Sequence, residues 1–130
     1  FTFICPTELT GFAKSKAEFS KLNAVVIGAS TDSKYSHKAW IERDLKEVDF
    51  PIIADTSHRI STDHGVLNEH GAAERGTFII DPNGILLYIV ISSSSVGRSV
   101  SETLRVLKAL QTGELCPVEW LPGSKTLGKA

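Results

Sequence analysis

Short apolar runs alternate with segments of helical spacing along this chain, and that alternation narrows the folds open to it more than any other feature. Ala24-Val25-Val26-Ile27-Gly28-Ala29-Ser30 is a continuous apolar run, the pattern of a strand buried on both faces. Before it, Leu9, Phe12, Ala13, Ala17, Phe19 and Leu22 recur at helical spacing interrupted by Gly11, and residues 33–48 read as a second helix. Pro51-Ile52-Ile53-Ala54 predicts another short buried strand, ended by Asp55 and followed by a helical turn over residues 57–64. Gly76-Thr77-Phe78-Ile79-Ile80-Asp81 and residues 85–91 predict two strands joined through the turn Pro82-Asn83-Gly84. Val100, Leu104, Leu107 and Leu110 then mark an amphipathic helix over residues 99–111, with Gly113 as its stop. Residues 1–5 read as the end of a further strand.

The order β-α-β-α-β-(α)-β-β-α argues for α/β layering with a mixed central sheet. A thioredoxin-like α/β sandwich fits it, with Cys5 at the start of the first helix. The 130 residues suffice for one core, which the pattern assigns to residues 1–112. Residues 113–130 form a tail rich in Gly and Pro, expected to pack loosely or against a partner. A net charge of −1 supplies no basic field for nucleic acid, and no apolar run approaches the roughly 20 residues that span a membrane.

Two cysteines, Cys5 and Cys116, are too few for a disulfide-stapled secreted scaffold. His37, His58, His64 and His70 show no ligand-like grouping with them, so no metal is expected. Cys5 follows Phe1-Thr2-Phe3-Ile4 and precedes Pro6-Thr7-Glu8. A sulfur at a strand-to-helix junction lies near unpaired N–H groups and the positive end of the helix dipole. That setting can bring a thiol pKa from about 8.5 down to roughly 3.5–7.5. A buried structural cysteine fits the same residues, because free Cys is often simply buried. The local pattern leaves both readings open.

Six segments in collinear order decide the matter. They are Phe1-Thr2-Phe3-Ile4-Cys5-Pro6-Thr7-Glu8, His37-Lys38-Ala39-Trp40, Gly65-Val66-Leu67, Arg75-Gly76-Thr77-Phe78-Ile79-Ile80-Asp81, Val96-Gly97-Arg98 and Gly113-Glu114-Leu115-Cys116-Pro117-Val118-Glu119-Trp120. Together they resemble the typical two-cysteine peroxiredoxins of the bacterial alkyl hydroperoxide reductase C type, nearly end to end. The resemblance implies that Cys5 is the peroxidatic cysteine, which attacks a hydroperoxide and becomes a sulfenic acid. It implies that Thr2 bonds the thiolate and the peroxide, and that Arg75 lowers the Cys5 pKa and stabilises charge on the leaving oxygen. Glu8 and Arg98 would hold Arg75 in place; by themselves these charged residues fit ordinary solvated pairs equally well. Cys116 would be the resolving cysteine, delivered from the other subunit of a dimer to close an intersubunit disulfide. Trp40 and Trp120 read as packing residues, Trp40 near the wall of the active site.

The resemblance further implies hydrogen peroxide and small organic hydroperoxides as substrates, and a thioredoxin-like protein or flavoprotein disulfide reductase as reductant. It implies no cofactor and a homodimer able to form a ring of five dimers. Reduced-thiol chemistry and the lack of secretory-type cysteine density point to a cytoplasmic location. Two departures accompany it. The family's upstream Pro and N-terminal strands are absent here, which predicts an exposed sheet edge. Residues 44–51 lack a Gly-Gly-Leu-Gly insertion, and the tail lacks a Tyr-Phe helix, which implies resistance to overoxidation. A holdase chaperone on the same ring and a thiol–disulfide oxidoreductase remain as alternatives; the latter is disfavoured because Cys5-Pro6-Thr7-Glu8 stands where a CxxC motif is usual. In a third variant Cys116 is a bystander and an external thiol resolves Cys5.

Overall fold

The computed structural model describes residues 3–130. Its elements run α1 (Cys5–Lys14), α2 (Lys16–Lys21), β1 (Gly28–Ser30), α3 (Lys34–Asp44), β2 (Ile52–Ala54), α4 (Arg59–Asp63), β3 (Arg75–Ile80), β4 (Leu86–Ser92) and α5 (Val100–Gln111). Parallel and antiparallel pairing both occur, as expected of a mixed α/β fold. β1 pairs parallel with β2, Gly28 opposite Ile52, and β3 pairs antiparallel with β4, Arg75 opposite Ser92. Among the described residues the two pairs form separate two-stranded sheets.

Several boundaries differ from the sequence expectation, each for a local reason. Phe3 and Ile4 are bends rather than strand, and Cys5 is already the first residue of α1; Phe1 and Thr2 lie outside the described residues. Ile4 caps the helix with backbone alone, its carbonyl accepting from Thr7 N at 3.0 Å and Glu8 N at 3.3 Å. The helix expected through residue 22 breaks at Ser15 (φ −97°, ψ 6°) into α1 and α2. Gly11 stays helical and lets α1 approach α5: a Cβ there would sit 3.4 Å from Val100 Cγ2. Of the apolar run over residues 24–30, only Gly28–Ser30 is strand, because only these residues lie opposite β2. Val25 is left 80% exposed.

α3 starts at a side-chain cap, Ser33 Oγ accepting from Ser36 N at 3.1 Å, and α5 starts in the same way with Ser99 Oγ and Glu102 N. Buried Asp55, just after β2, binds Ile60 N, Ser61 N and Ser61 Oγ and thereby nucleates α4. The β3–β4 connection closes at Gly84, whose φ of +81° suits glycine.

The core is built around Trp40, Leu45, Val48 and Phe50. Cys5, Leu9 and Phe12 of α1 pack on it together with Ile52 of β2, so the α1 N-terminus is seated directly against the buried cluster. The tail is not loose. Trp120 is 5% exposed, and Leu115 pairs with the chain end through Leu115 N to Gly128 O (2.9 Å) and Leu127 N to Leu115 O (2.7 Å).

Candidate active site

Helical geometry turns Glu8 onto the same face of α1 as Cys5, one turn further along. The Glu8 carboxylate is almost fully buried and accepts three hydrogen bonds. Arg75 Nη1 donates to Oε2 at 2.8 Å, Arg98 Nη1 to the same oxygen at 2.6 Å, and the Arg98 backbone N–H to Oε1 at 2.7 Å. Arg75 opens β3, and Arg98 immediately precedes the cap of α5, so three elements far apart in sequence meet at one carboxylate. The three side chains are 4% (Glu8), 14% (Arg75) and 22% (Arg98) exposed, which makes this a buried network rather than the solvated pairs that the isolated residues also fitted.

Backbone carbonyls aim the two guanidinium groups. Arg75 Nε donates to Ser94 O at 2.9 Å, and Arg98 Nε to Gly76 O at 3.1 Å. Gly76 permits this approach: a Cβ there would lie 2.6 Å from the Phe78 ring and 3.0 Å from Val66. A Cβ on Gly97 would sit 3.4 Å from Ile4 and 3.8 Å from Glu8, so the glycine lets the start of α5 come close to the start of α1. Sequence reasoning found Arg75, Glu8 and Arg98 but not the acceptors Ser94 and Gly76, because a carbonyl leaves no trace in residue type.

Cys5 is a free, half-buried cysteine. Burial pushes its thiol above the usual cysteine value, the Glu8 charge adds to the rise, and Arg98 and Arg75 pull it back only in part. Both cations lower the Cys5 pKa as expected, but burial and Glu8 outweigh them and the net shift is upward. Two guanidinium charges are half neutralised by Glu8, and desolvation against the Trp40 cluster disfavours the anion.

Cys116 is also free. Its sulfur lies 3.7 Å from Ala109 O and 3.6 Å from Thr112 Oγ1, against the last turn of α5. α1 and α2 run alongside α5 in the same direction. Gly97 and Arg98 meet Ile4 and Glu8, Gly11 faces Val100, and Gln111 Nε2 reaches Leu22 O at 2.6 Å. Cys5 and Cys116 are consequently at opposite ends of a 12-residue helix, about 18 Å long. A disulfide needs Cα atoms within about 7 Å. The structure thus brings Cys5, Glu8, Arg75 and Arg98 together and leaves Cys116 of the same chain apart; Thr2 lies outside the described residues. Among the described residues no group of His, Cys, Asp and Glu side chains could hold a metal ion, and no helix is long and apolar enough to cross a membrane.

A cysteine at a helix start, seated beside a buried arginine–carboxylate network on a mixed α/β fold, defines a thiol-dependent redox enzyme, and known proteins agree. A profile described as the AhpC/TSA family matches residues 1–89. YkuU of Bacillus subtilis, classed by name with the peroxiredoxins, is 52% identical over 133 residues, covering 98% of this chain and 74% of the relative. Peroxiredoxin prdx-2 of Caenorhabditis elegans is 50% identical over 137 residues, covering 98% and 68%. Among solved structures, the reduced 2-Cys peroxiredoxin of Plasmodium vivax superposes with a TM-score of 0.93 at 32% identity, covering 95% of this chain and 69% of that one. AhpC of Mycobacterium tuberculosis gives 0.83 at 45% identity, covering 92% and 68%. The chain belongs to the AhpC/TSA family and is a peroxiredoxin, a thiol peroxidase with the thioredoxin-like fold of these neighbours.

Proposed function

We propose that the chain reduces hydrogen peroxide and small organic hydroperoxides through a sulfenic acid at Cys5 and an intersubunit disulfide with Cys116. The observation that carries this reading is the seating of Arg75 and Arg98 on Glu8, one helical turn beyond Cys5. The Cys5 thiolate attacks one peroxide oxygen; an S–O bond forms as the O–O bond breaks. Two electrons pass from sulfur to the peroxide, and the departing oxyanion takes a proton to leave as alcohol or water. The cationic edge of the Arg75–Arg98 pair stabilises the thiolate and the charge developing on the leaving oxygen. Thr2 supplies a hydroxyl that orients the peroxide.

Cys116 of the partner subunit then attacks the sulfenic sulfur. An S–S bond forms, the S–O bond breaks, and the hydroxyl leaves as water with the thiol proton. The separation of Cys5 from Cys116 of the same chain by the length of α5 supports resolution between subunits. A thioredoxin-like protein or a flavoprotein disulfide reductase restores both thiols by exchange. The working assembly is a homodimer that builds a ring of five dimers, in the reducing setting of the cytoplasm.

Non-reducing electrophoresis after one equivalent of hydrogen peroxide tests the reading on wild type, Cys5→Ser and Cys116→Ser. A covalent dimer in wild type alone is the expected result. A wild type that stays monomeric while Cys5 reaches the sulfenic acid removes Cys116 from the mechanism, and an unreacted Cys5 thiol removes the peroxide reading altogether.

A further inference from the structure

Arg75 is aimed by a turn as well as by Glu8. In the β3–β4 ladder Arg75 lies opposite Ser92, so the chain leaving β4 passes directly beside it. There residues 93–96 fold back on themselves, Val96 N donating to Ser93 O at 3.0 Å. Ser93 Oγ adds a tie inside the turn. It shares a hydrogen bond with Ser95 Oγ at 3.1 Å and accepts a longer one from Ser95 N at 3.4 Å, the way a serine shapes a turn with its own side chain. The turn presents Ser94 O to Arg75 Nε at 2.9 Å, while Glu8 takes Arg75 Nη1 at 2.8 Å. Two fixed nitrogens of a planar group set the direction of the third, and Nη2 has no partner among the described residues. The same link runs on through Gly97 into Arg98 and its bonds to Glu8.

We propose that Ser93 is a positioning residue of the peroxide step: by shaping the 93–96 turn it keeps the Ser94 carbonyl on Arg75 Nε, so that Arg75 Nη2 is held toward the oxygens reacting at Cys5. This role rests on the chemistry proposed above for Cys5 and Arg75 and adds what sets the angle of the guanidinium. The step served is the attack already balanced, S–O bond formation with O–O cleavage. Ser93 itself takes no part in bond making.

Two measurements on the full chain, both in a Cys116→Ser background, test the role. Stopped-flow mixing with hydrogen peroxide reads sulfenic acid formation at Cys5. Iodoacetamide alkylation of Cys5 against pH reads how strongly Arg75 acts on the thiolate, without any peroxide chemistry. Ser93→Ala is expected to slow sulfenic acid formation about threefold and to move the alkylation midpoint upward, because a displaced cation stabilises the thiolate less. Ser93→Asn, whose side chain ties the same kind of turn, restores both. In Arg75→Lys, which keeps the charge but has no Nε–H for Ser94 O, Ser93→Ala adds no further slowing. Rate and midpoint both unchanged in Ser93→Ala overturn the proposal. The same threefold loss persisting in Arg75→Lys overturns it too, since Ser93 would then act by another route. If Arg75→Lys does not fold, the contrast between Ser93→Ala and Ser93→Asn carries the test, and equal loss in both overturns the role of the turn. If Cys5 with Ser93 intact does not react with peroxide, the peroxidase reading falls, and the alkylation midpoint by itself decides whether Ser93 places Arg75.

Discussion

Glu8 binds Arg98 twice, through the guanidinium at 2.6 Å on one carboxylate oxygen and through the backbone N–H at 2.7 Å on the other. This two-point hold locks the entry of α5 onto the first turn of α1, and Oε2 accepts from Arg75 Nη1 as well as from the Arg98 guanidinium. One carboxylate thus joins the folding of two helices to the placement of both cations beside Cys5.

Replacing that carboxylate has a double cost. Glu8→Gln leaves two buried guanidinium groups without a counter-charge, which destabilises the fold by about 3–5 kcal/mol, read as a lower urea midpoint. With Arg75 and Arg98 no longer held, the peroxide reaction of Cys5 slows on the order of tenfold or more, read by stopped-flow fluorescence. An unchanged midpoint would show that the network does not support the fold.

The raised Cys5 pKa has a signed consequence. Its peroxide reactivity climbs with pH beyond the range of an ordinary cysteine, because the thiolate forms late. Stability follows linkage: the contribution from keeping the thiol neutral is complete below the unfolded-chain value of about 8.5 and is lost as pH rises through the higher folded value. Alkylation rates of Cys5 in the Cys116→Ser variant, taken against pH, check the midpoint. A midpoint below that of a free cysteine would mean that the arginines outweigh burial and Glu8.

Asp55 behaves in the opposite sense. Burial alone would raise its carboxyl, but hydrogen bonds from Ser61 and Ile60 prevail and hold it below the usual aspartate value. Its contribution is therefore present above the unfolded value of about 3.9 and fades as pH falls through the lower folded one. Asp55→Ala is expected to lower Tm at pH 7 by on the order of 5 °C, and the deficit should shrink in acid. A deficit that persists unchanged at pH 2 would contradict the assignment.

Gly76→Ala tests the close approach behind Arg98. The added methyl lies 2.6 Å from the Phe78 ring, which is itself packed edge-on to His64. Displacing it costs roughly 1–3 kcal/mol and pulls the carbonyl away from Arg98 Nε, so denaturation and peroxide kinetics should both suffer. A variant as stable and fast as wild type would mean that Phe78 swings aside freely.

The family and the α/β class were legible because hydrophobic period and motif order are properties of the chain itself. The hairpin around Pro82-Asn83-Gly84 and the helix ending near Gln111 appear where the periodicity puts them. Residues 24–27 read as strand and are not, because a strand exists only where another chain segment completes its ladder. Cys5 opens the first helix as the motif suggested, whereas Phe3 and Ile4 read as strand and are bends, with Ile4 providing a backbone cap that no side-chain signal announces.

Local sequence thus determined which segments can be helical or extended, the thioredoxin-like class, and the residue types at the site. Tertiary structure decided that Glu8 gathers Arg75 and Arg98, that burial outweighs those cations at Cys5, and that the tail is closed on itself rather than loose. These are contacts and dielectric surroundings set between residues as far apart as 90 positions, and no pattern of neighbours along the chain encodes them.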